Sequence, residues 1–277
     1  MRKFLIFGFI LILADCLVAQ SHWQWTAGLE NHFQLNKSET KNIESSGNIG
    51  NMPRVAFSAG EGVAINLGIS RYNDSSNLTW SVNIQRLWGN LVSAGSQRDS
   101  GLFQEELLQS KQTNLKLGVG YQNKGKYKYA FQAGPIIPIG GKHITSIYYE
   151  GGGNQFAAHY TTEFSSSIGL WFGADYRHEI NEKTNLFLGL GFQIMNRDIK
   201  SRSLDNFIQL NGSIDRNTYA PSTYQQEYQF VDEIKTDIND AVINPSGYDI
   251  NAARELQTQN YSFSSIYLQL GVKYSLF

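Results

Sequence analysis

Eight stretches of this chain alternate apolar and polar residues with a period of two, and this pattern restricts the fold more than any other feature. From Trp23 to Leu35 the odd positions are Trp23, Trp25, Ala27, Leu29, Asn31, Phe33 and Leu35, and the even ones are mostly polar or small. The same rhythm returns at 63–69, 78–84, 115–121, 127–133, 168–176, 186–194 and 266–276. Helical spacing fits none of the eight runs as well. Their connections alternate too: 73–77, 123–126 and 177–183 are short and turn-like. Long polar segments fill 36–62, 88–112, 138–163 and 196–260. Short turns at one end and long loops at the other predict an all-β fold, an antiparallel up-and-down transmembrane β-barrel with long external loops. Eight strands are expected. Ten would follow if the fourth long segment added a membrane hairpin.

A soluble barrel with an apolar inside would show the same alternation. Three features place the apolar stripe outside. All ten glycines of the runs (Gly28, Gly68, Gly118, Gly120, Gly134, Gly169, Gly173, Gly189, Gly191 and Gly271) share the polar face, where a narrow lumen needs small residues. Aromatics gather at the strand ends beside the short turns: Trp23, Trp25, Trp80, Tyr121, Tyr127, Tyr129, Tyr176 and Tyr274. That is where a membrane-interface girdle belongs. Phe33, Trp88, Phe192 and Phe263 are the candidates for a thinner girdle at the other end. Between the girdles the stripe is nearly free of charge, as lipid requires.

Composition closes off other classes. Only the N-terminal stretch is continuously apolar, which argues against a helical membrane protein. A net charge of −1 gives no basic face for nucleic acid. Aromatics at 13% argue against disorder. Arg2 and Lys3 precede ten apolar residues, Phe4 to Leu13, and small residues run to Ala19. Residues 1–19 are therefore expected to be a signal peptide cut near Ala19 or Gln20, leaving 20–277 as the barrel domain. Cys16, the only cysteine, would leave with it. Asp15 spoils a lipobox reading of Leu13-Ala14-Asp15-Cys16.

The C-terminal strand, Ile266 to Phe277 (IYLQLGVKYSLF), carries the most specific family likeness. The chain resembles a small bacterial outer-membrane β-barrel of the OmpX/OmpA membrane-domain type. That resemblance implies the bacterial outer membrane, surrounding lipid as a partner and a monomeric barrel. It also implies a C-terminal signal, here Tyr274, Leu276 and Phe277, read by the barrel-assembly machinery. Tyr274 lies three residues before Phe277, so Leu276 continues the outward stripe.

Chemistry-bearing residues of the polar face are Glu30, His32, Lys116, Lys128, Asp175, Arg177 and Lys273. They are expected to form an ion-pair network that plugs a narrow lumen, with Asp175 and Lys128 as one pair. Trp171, Phe187 and Tyr267 point inward by the same parity. Glu30 beside His32 could instead serve acid–base work at the rim, as in an outer-membrane enzyme. His143, His159, His178 and His22 lack metal-ligand spacing and read as solvated loop or turn residues. Neither metal nor cofactor is expected. Segment 197–258 holds ten acidic and six basic residues, a net of −4, with many aromatics. It is expected to carry a hairpin near 206–214 and 224–231 and a short helix near 249–257, and to meet an extracellular ligand or protein. The leading expectation is a non-enzymatic barrel acting through its external loops. A passive small-solute channel and a rim enzyme are the rivals.

Overall fold

The computed structural model describes residues 21–35, 59–73, 76–99, 102–123, 128–209, 222–258 and 260–276. The expected signal peptide, Cys16, Tyr127 and Phe277 lie outside these residues. Eight strands close a barrel: β1 (Ser21–Gln34), β2 (Gly62–Asn73), β3 (Leu78–Asp99), β4 (Leu102–Gln122), the lower half of β5 (Lys128–Gly151), β7 (Gly169–Glu179), β8 (Thr184–Ile194) and β13 (Ser265–Ser275). Each pairs antiparallel with its neighbours, and β1 pairs with β13 to complete the ring. All eight coincide with the alternating runs. Ten strands do not cross.

The ladder fixes the barrel's shape. From Trp88 it passes through Val63, Asn31, Leu268, Leu190, Ala174, Phe131 and Tyr121 and returns to β3 at Leu78, ten residues lower (88 − 78). A shear of ten over eight strands tilts them by about 40° and leaves a lumen that side chains fill. The outer face is apolar: Leu29, Leu67, Ile84, Leu170, Leu188 and Leu270 are all exposed there. The inner face is polar and buried. Trp23, Trp25, Tyr121, Tyr129, Tyr176 and Tyr274 stand exposed at the lower end, with Trp80 half-buried, as a girdle requires. Phe33, Trp88 and Phe192 are exposed at the upper end. Phe263 is not among them. It is fully buried, because the chain turns inward between the strand β12 (Asn260–Ser262) and β13.

The long polar segments are largely strand, not loop. β3, β4 and β5 run on above the barrel, and β5 exchanges β7 for β6 (Asn154–Phe164) as its partner. Gly152 and Gly153, both at positive φ (58° and 80°), close the two-residue β5–β6 hairpin, a backbone that side-chain-bearing residues rarely adopt. β6 pairs with β9 (Asn196–Gln209), β9 with β10 (Glu227–Val231), and β10 in parallel with β11 (Arg254–Gln257). β12 pairs with the start of β9. The result is an external sheet ordered β3-β4-β5-β6-β9-β10-β11, rising from one side of the barrel wall. The helix expected near 249–257 is absent. Residues 254–257 are β11, and the one helical turn among the described residues is Thr223–Gln226. β10 does pair with β9, but at Ser201–Ser203 rather than near 206–214.

Candidate functional site

Alternation aims every second side chain of the eight strands into one narrow space, so the polar residues of the runs must solve one another's hydrogen bonding. The hub is Glu30, 1% exposed. Its carboxylate accepts from Asn66 Nδ2 at 2.9 Å, His32 Nε2 at 2.9 Å, Gln85 Nε2, and Lys116 Nζ at 3.4 Å to both oxygens. Lys116 also faces the rings of Tyr267 (4.5 Å) and Trp171 (5.6 Å). A buried charge persists only when so compensated.

His32 Nδ1 lies 2.8 Å from Ser265 Oγ. With Nε2–H donating to Glu30, a tautomer assigned from the network, Ser265 donates to Nδ1. Serine, imidazole and carboxylate thus stand in line, the arrangement that activates a hydrolytic serine elsewhere. Here Ser265 is 0% exposed and roofed by the Phe263–Ser264 turn. Both Glu30 and His32 sit inside the barrel, as their place on the polar face of β1 predicts, and not at the rim that the rival enzyme reading needs.

A second cluster lies below. Asp175 accepts from Arg177 Nε at 2.8 Å and Lys273 Nζ at 2.7 Å. The expected Asp175–Lys128 pair does not form. Lys128 stands at the lower mouth, half-exposed, and pairs with Glu179 instead, because Arg177 is its cross-strand neighbour and already holds Asp175. Between the clusters a cavity of about 40 Å³ is lined by Asn66, Asn83, Gln132, Gln269 and Trp171 among others, room for a few waters. The inward glycines make space for the large rings. A Cβ on Gly118 would fall 2.7 Å from the Trp171 ring, and one on Gly191 2.4 Å from Tyr267.

The upper mouth is roofed. Gln112 donates to Asn114, Asn114 to Gln85 (2.8 Å) and Gln85 to Glu30, and Arg197 Nη1 donates to Gln112 from above (3.4 Å). Over this chain Leu108, Met195, Ile199, Tyr261 and Phe263 form a buried apolar cluster with Phe164 against it. The Arg197 guanidinium lies 5.2 Å from the Phe164 ring and 5.6 Å from that of Phe263. Burial brings its pKa down to about 10. His143, expected in solvent, is 3% exposed, bonded to Ser110 Oγ at 3.0 Å and edge-on to Phe164 and Phe263. Burial, and then the nearby Arg197, push its pKa down to about 3. His159, in β6, bonds Ser146 of β5, while His178 and His22 lie within β7 and β1.

The sequence singled out the charged members of this network. It missed Asn66, Gln85, Gln112, Asn114 and Ser265, although parity alone points all five inward. It also missed the roof, since nothing in the period of β9 or β12 says that their residues fold back over the lumen. Among the described residues no group of His, Cys, Asp and Glu is placed to hold a metal.

Closed hydrogen bonding, an apolar exterior between aromatic girdles and a polar, filled interior define a transmembrane β-barrel of the outer-membrane type. No protein-family model matches the chain, and no curated protein matches it. Among solved structures it is similar to a major outer membrane protein from Thermus thermophilus (12% identity, 92% of this chain and 99% of that one, TM-score 0.42). It is also similar to the outer membrane protein AlkL in DMPC lipid bilayers (9% identity, 93% and 90%, TM-score 0.38). Likenesses this distant carry no argument about function, and the membrane reading rests on the barrel's own two faces.

Proposed function

We propose that this protein is a non-enzymatic outer-membrane barrel whose lumen is a structural plug and whose working surface is the external sheet and its appended loops. One observation carries the reading: the Glu30 network fills the lumen and the Phe263–Arg197 roof covers its upper mouth. A solute path would have to break both. The external sheet, by contrast, presents solvent-facing side chains on a hydrogen-bonded frame. Residues 222–258 hold seven acidic and two basic residues, a net of −5. Val242, Ile243, Tyr248 and Ile250 stand exposed among them. Exposed apolar side chains on a segment of net negative charge suit a cationic, partly apolar partner outside the cell. The hydrolase reading lacks a path to Ser265, so it is the weaker alternative.

The test is a planar-bilayer recording of the purified barrel beside surface labelling of whole cells. No resolved conductance steps, together with reaction of an Asp249→Cys variant with a membrane-impermeant maleimide, are expected. Steps that grow in Trp171→Gly would replace the plug with a conduit.

A further inference from the structure

The outer face of the barrel is uncharged around most of its upper edge, where Phe33, Ile266, Phe192 and Leu170 stand. The β3–β4–β5 sector differs. There Trp88 pairs in register with Lys111, and Lys111 with Lys142, both lysines exposed on the outer side. Arg86, on the same face of β3 one turn of the pleat below Trp88, donates Nη1 to Thr113 Oγ1 at 2.6 Å and turns its guanidinium toward the Trp88 ring, 6.0 Å from its centroid.

Height decides what these cations meet. Trp80 and Trp88 are eight residues apart on one tilted strand (88 − 80), about 20 Å along the barrel axis. They mark the lower and upper edges of the lipid-facing band. The shear raises the ladder by about 3 Å per strand from β3 toward β5, so Lys111 and Lys142 stand just above that upper edge. Two like charges directly opposite on adjacent strands oppose pairing unless something between them is negative. Glu61 accepts from Asn90 on the β2 flank, and Asp205, which accepts from Thr161, forms an exposed ion pair with Lys142 at 3.7 Å, so only one lysine of the two has a carboxylate partner. Lys111 has no ion-pair partner among the described residues.

We infer that Arg86, Lys111 and Lys142, beside Trp88, form a binding site for the phosphorylated headgroup of an outer-leaflet lipid. A phosphate between the two ammonium groups converts a like-charge contact into two charge-assisted hydrogen bonds. The Trp88 ring covers the start of the acyl chains. A lipid rather than a soluble anion is the occupant because the site sits on the rim of the lipid-facing band, where acyl chains run down the exposed Ile84 and Val82. The inference rests on the membrane reading above.

The experiment places the full barrel in nanodiscs of phosphatidylcholine alone or doped with diphosphorylated lipid A, and reads thermal unfolding and the lipid retained in native mass spectrometry. Insertion into phosphatidylcholine tests the membrane reading by itself. In doped discs, wild type should retain lipid A about tenfold better than Lys111→Gln and Lys142→Gln. Lys183→Gln, the same charge removed at the lower turn, should behave as wild type. In phosphatidylcholine alone, Lys111→Gln should be as stable as wild type or more so, since a like-charge pair is relieved. Equal retention by wild type and both variants would overturn the site. So would displacement of the lipid by millimolar inorganic phosphate, which would make the ligand a free anion.

Discussion

Barrel and external sheet share strands, yet only the external sheet adds buried apolar clusters to its buried polar groups. On β4 the inward residues of the barrel are Lys116, Asn114 and Gln112, and the outward ones Val119, Leu117 and Leu115. Above Lys111 the same strand turns Leu108 inward into the apolar roof, and the outward stripe loses its unbroken apolar character at Gln109 and Glu105. The backbone continues without interruption across the change. What changes is the surrounding medium: lipid below, water above. A sheet in lipid must hide its polar side chains, while one in water must hide its apolar ones. β5 marks the same boundary, with the register shift opposite Thr113 and Asn114, where it leaves β7 for β6.

This contrast predicts where damage is worst. Glu30→Ala should be the most costly substitution, because it leaves the buried Lys116 without its anion. Breaking one side of such a pair costs about 3–5 kcal/mol. The measurement is urea unfolding in lipid vesicles. A loss no larger than that of Glu179→Ala, whose pair at the lower mouth is half-exposed, would mean that water already reaches Glu30.

One substitution made in both regions sharpens the comparison. Leu188 is 61% exposed on the barrel wall and Ile208 42% exposed on β9 of the external sheet. Leu188→Lys should cost about 2–4 kcal/mol, because the new charge meets lipid. Ile208→Lys should fall within about 0.5 kcal/mol, because it meets water. Equal effects would mean that the external sheet is also immersed in lipid.

The barrel was legible in the sequence because its signal is repeated. Eight alternating runs, ten inward glycines and a girdle of rings at the turn ends all report the same two faces. The external sheet was not legible, and its opacity has a physical source. β6 and β9 bury only scattered apolar residues (Ala158, Tyr160, Ile199, Leu204 and Phe207) and their register shifts twice, so no run of strict alternation marks them and they read as polar loop, while β10 to β12 are too short to show a period. Phe263 misled for a different reason. It has the inward parity of Ser265 and Tyr267, and only its aromatic ring suggested a place in the girdle. The chain breaks between Ser262 and Ser265, where the Met195 carbonyl accepts the Phe263 N–H at 2.7 Å and the residue lies buried over the lumen.

The roof joins the two regions, and acid should loosen it before the barrel. His143 is neutral when folded down to about pH 3, while in the unfolded chain it takes up a proton near its ordinary value of 6.5. Between those limits the unfolded state binds the extra proton. Stability contributed by the roof is therefore whole above pH 6.5 and falls by up to about 1.4 kcal/mol per pH unit below it. Limited proteolysis of the external sheet at pH 7 and pH 5 should show the difference. His143→Gln, which keeps a donor for Ser110 and does not titrate, should abolish that dependence. A wild-type profile flat to pH 4 would place the proton uptake elsewhere.

The smallest effect on the barrel should come from the largest excision. Removing 210–258 takes away the helical turn, β10 and β11 and leaves every barrel strand and its partners in place. The replacement cannot be a tight turn. Gln209 ends β9 at its far tip, while Asn260 pairs with Asp198 near its base. The linker must run back eleven residues of strand (209 − 198), about 36 Å at full extension. Some fifteen Gly/Ser residues would span it, with closure entropy rising only logarithmically in length. Tyr228 and Phe230 leave the edges of the two apolar clusters, so the external sheet should loosen. The barrel's unfolding midpoint in vesicles should not move, because its ladder and lipid-facing stripe lie far from the excised contacts. If the excised chain fails to insert or its midpoint drops with the sheet, the external sheet is a support on which the barrel closes.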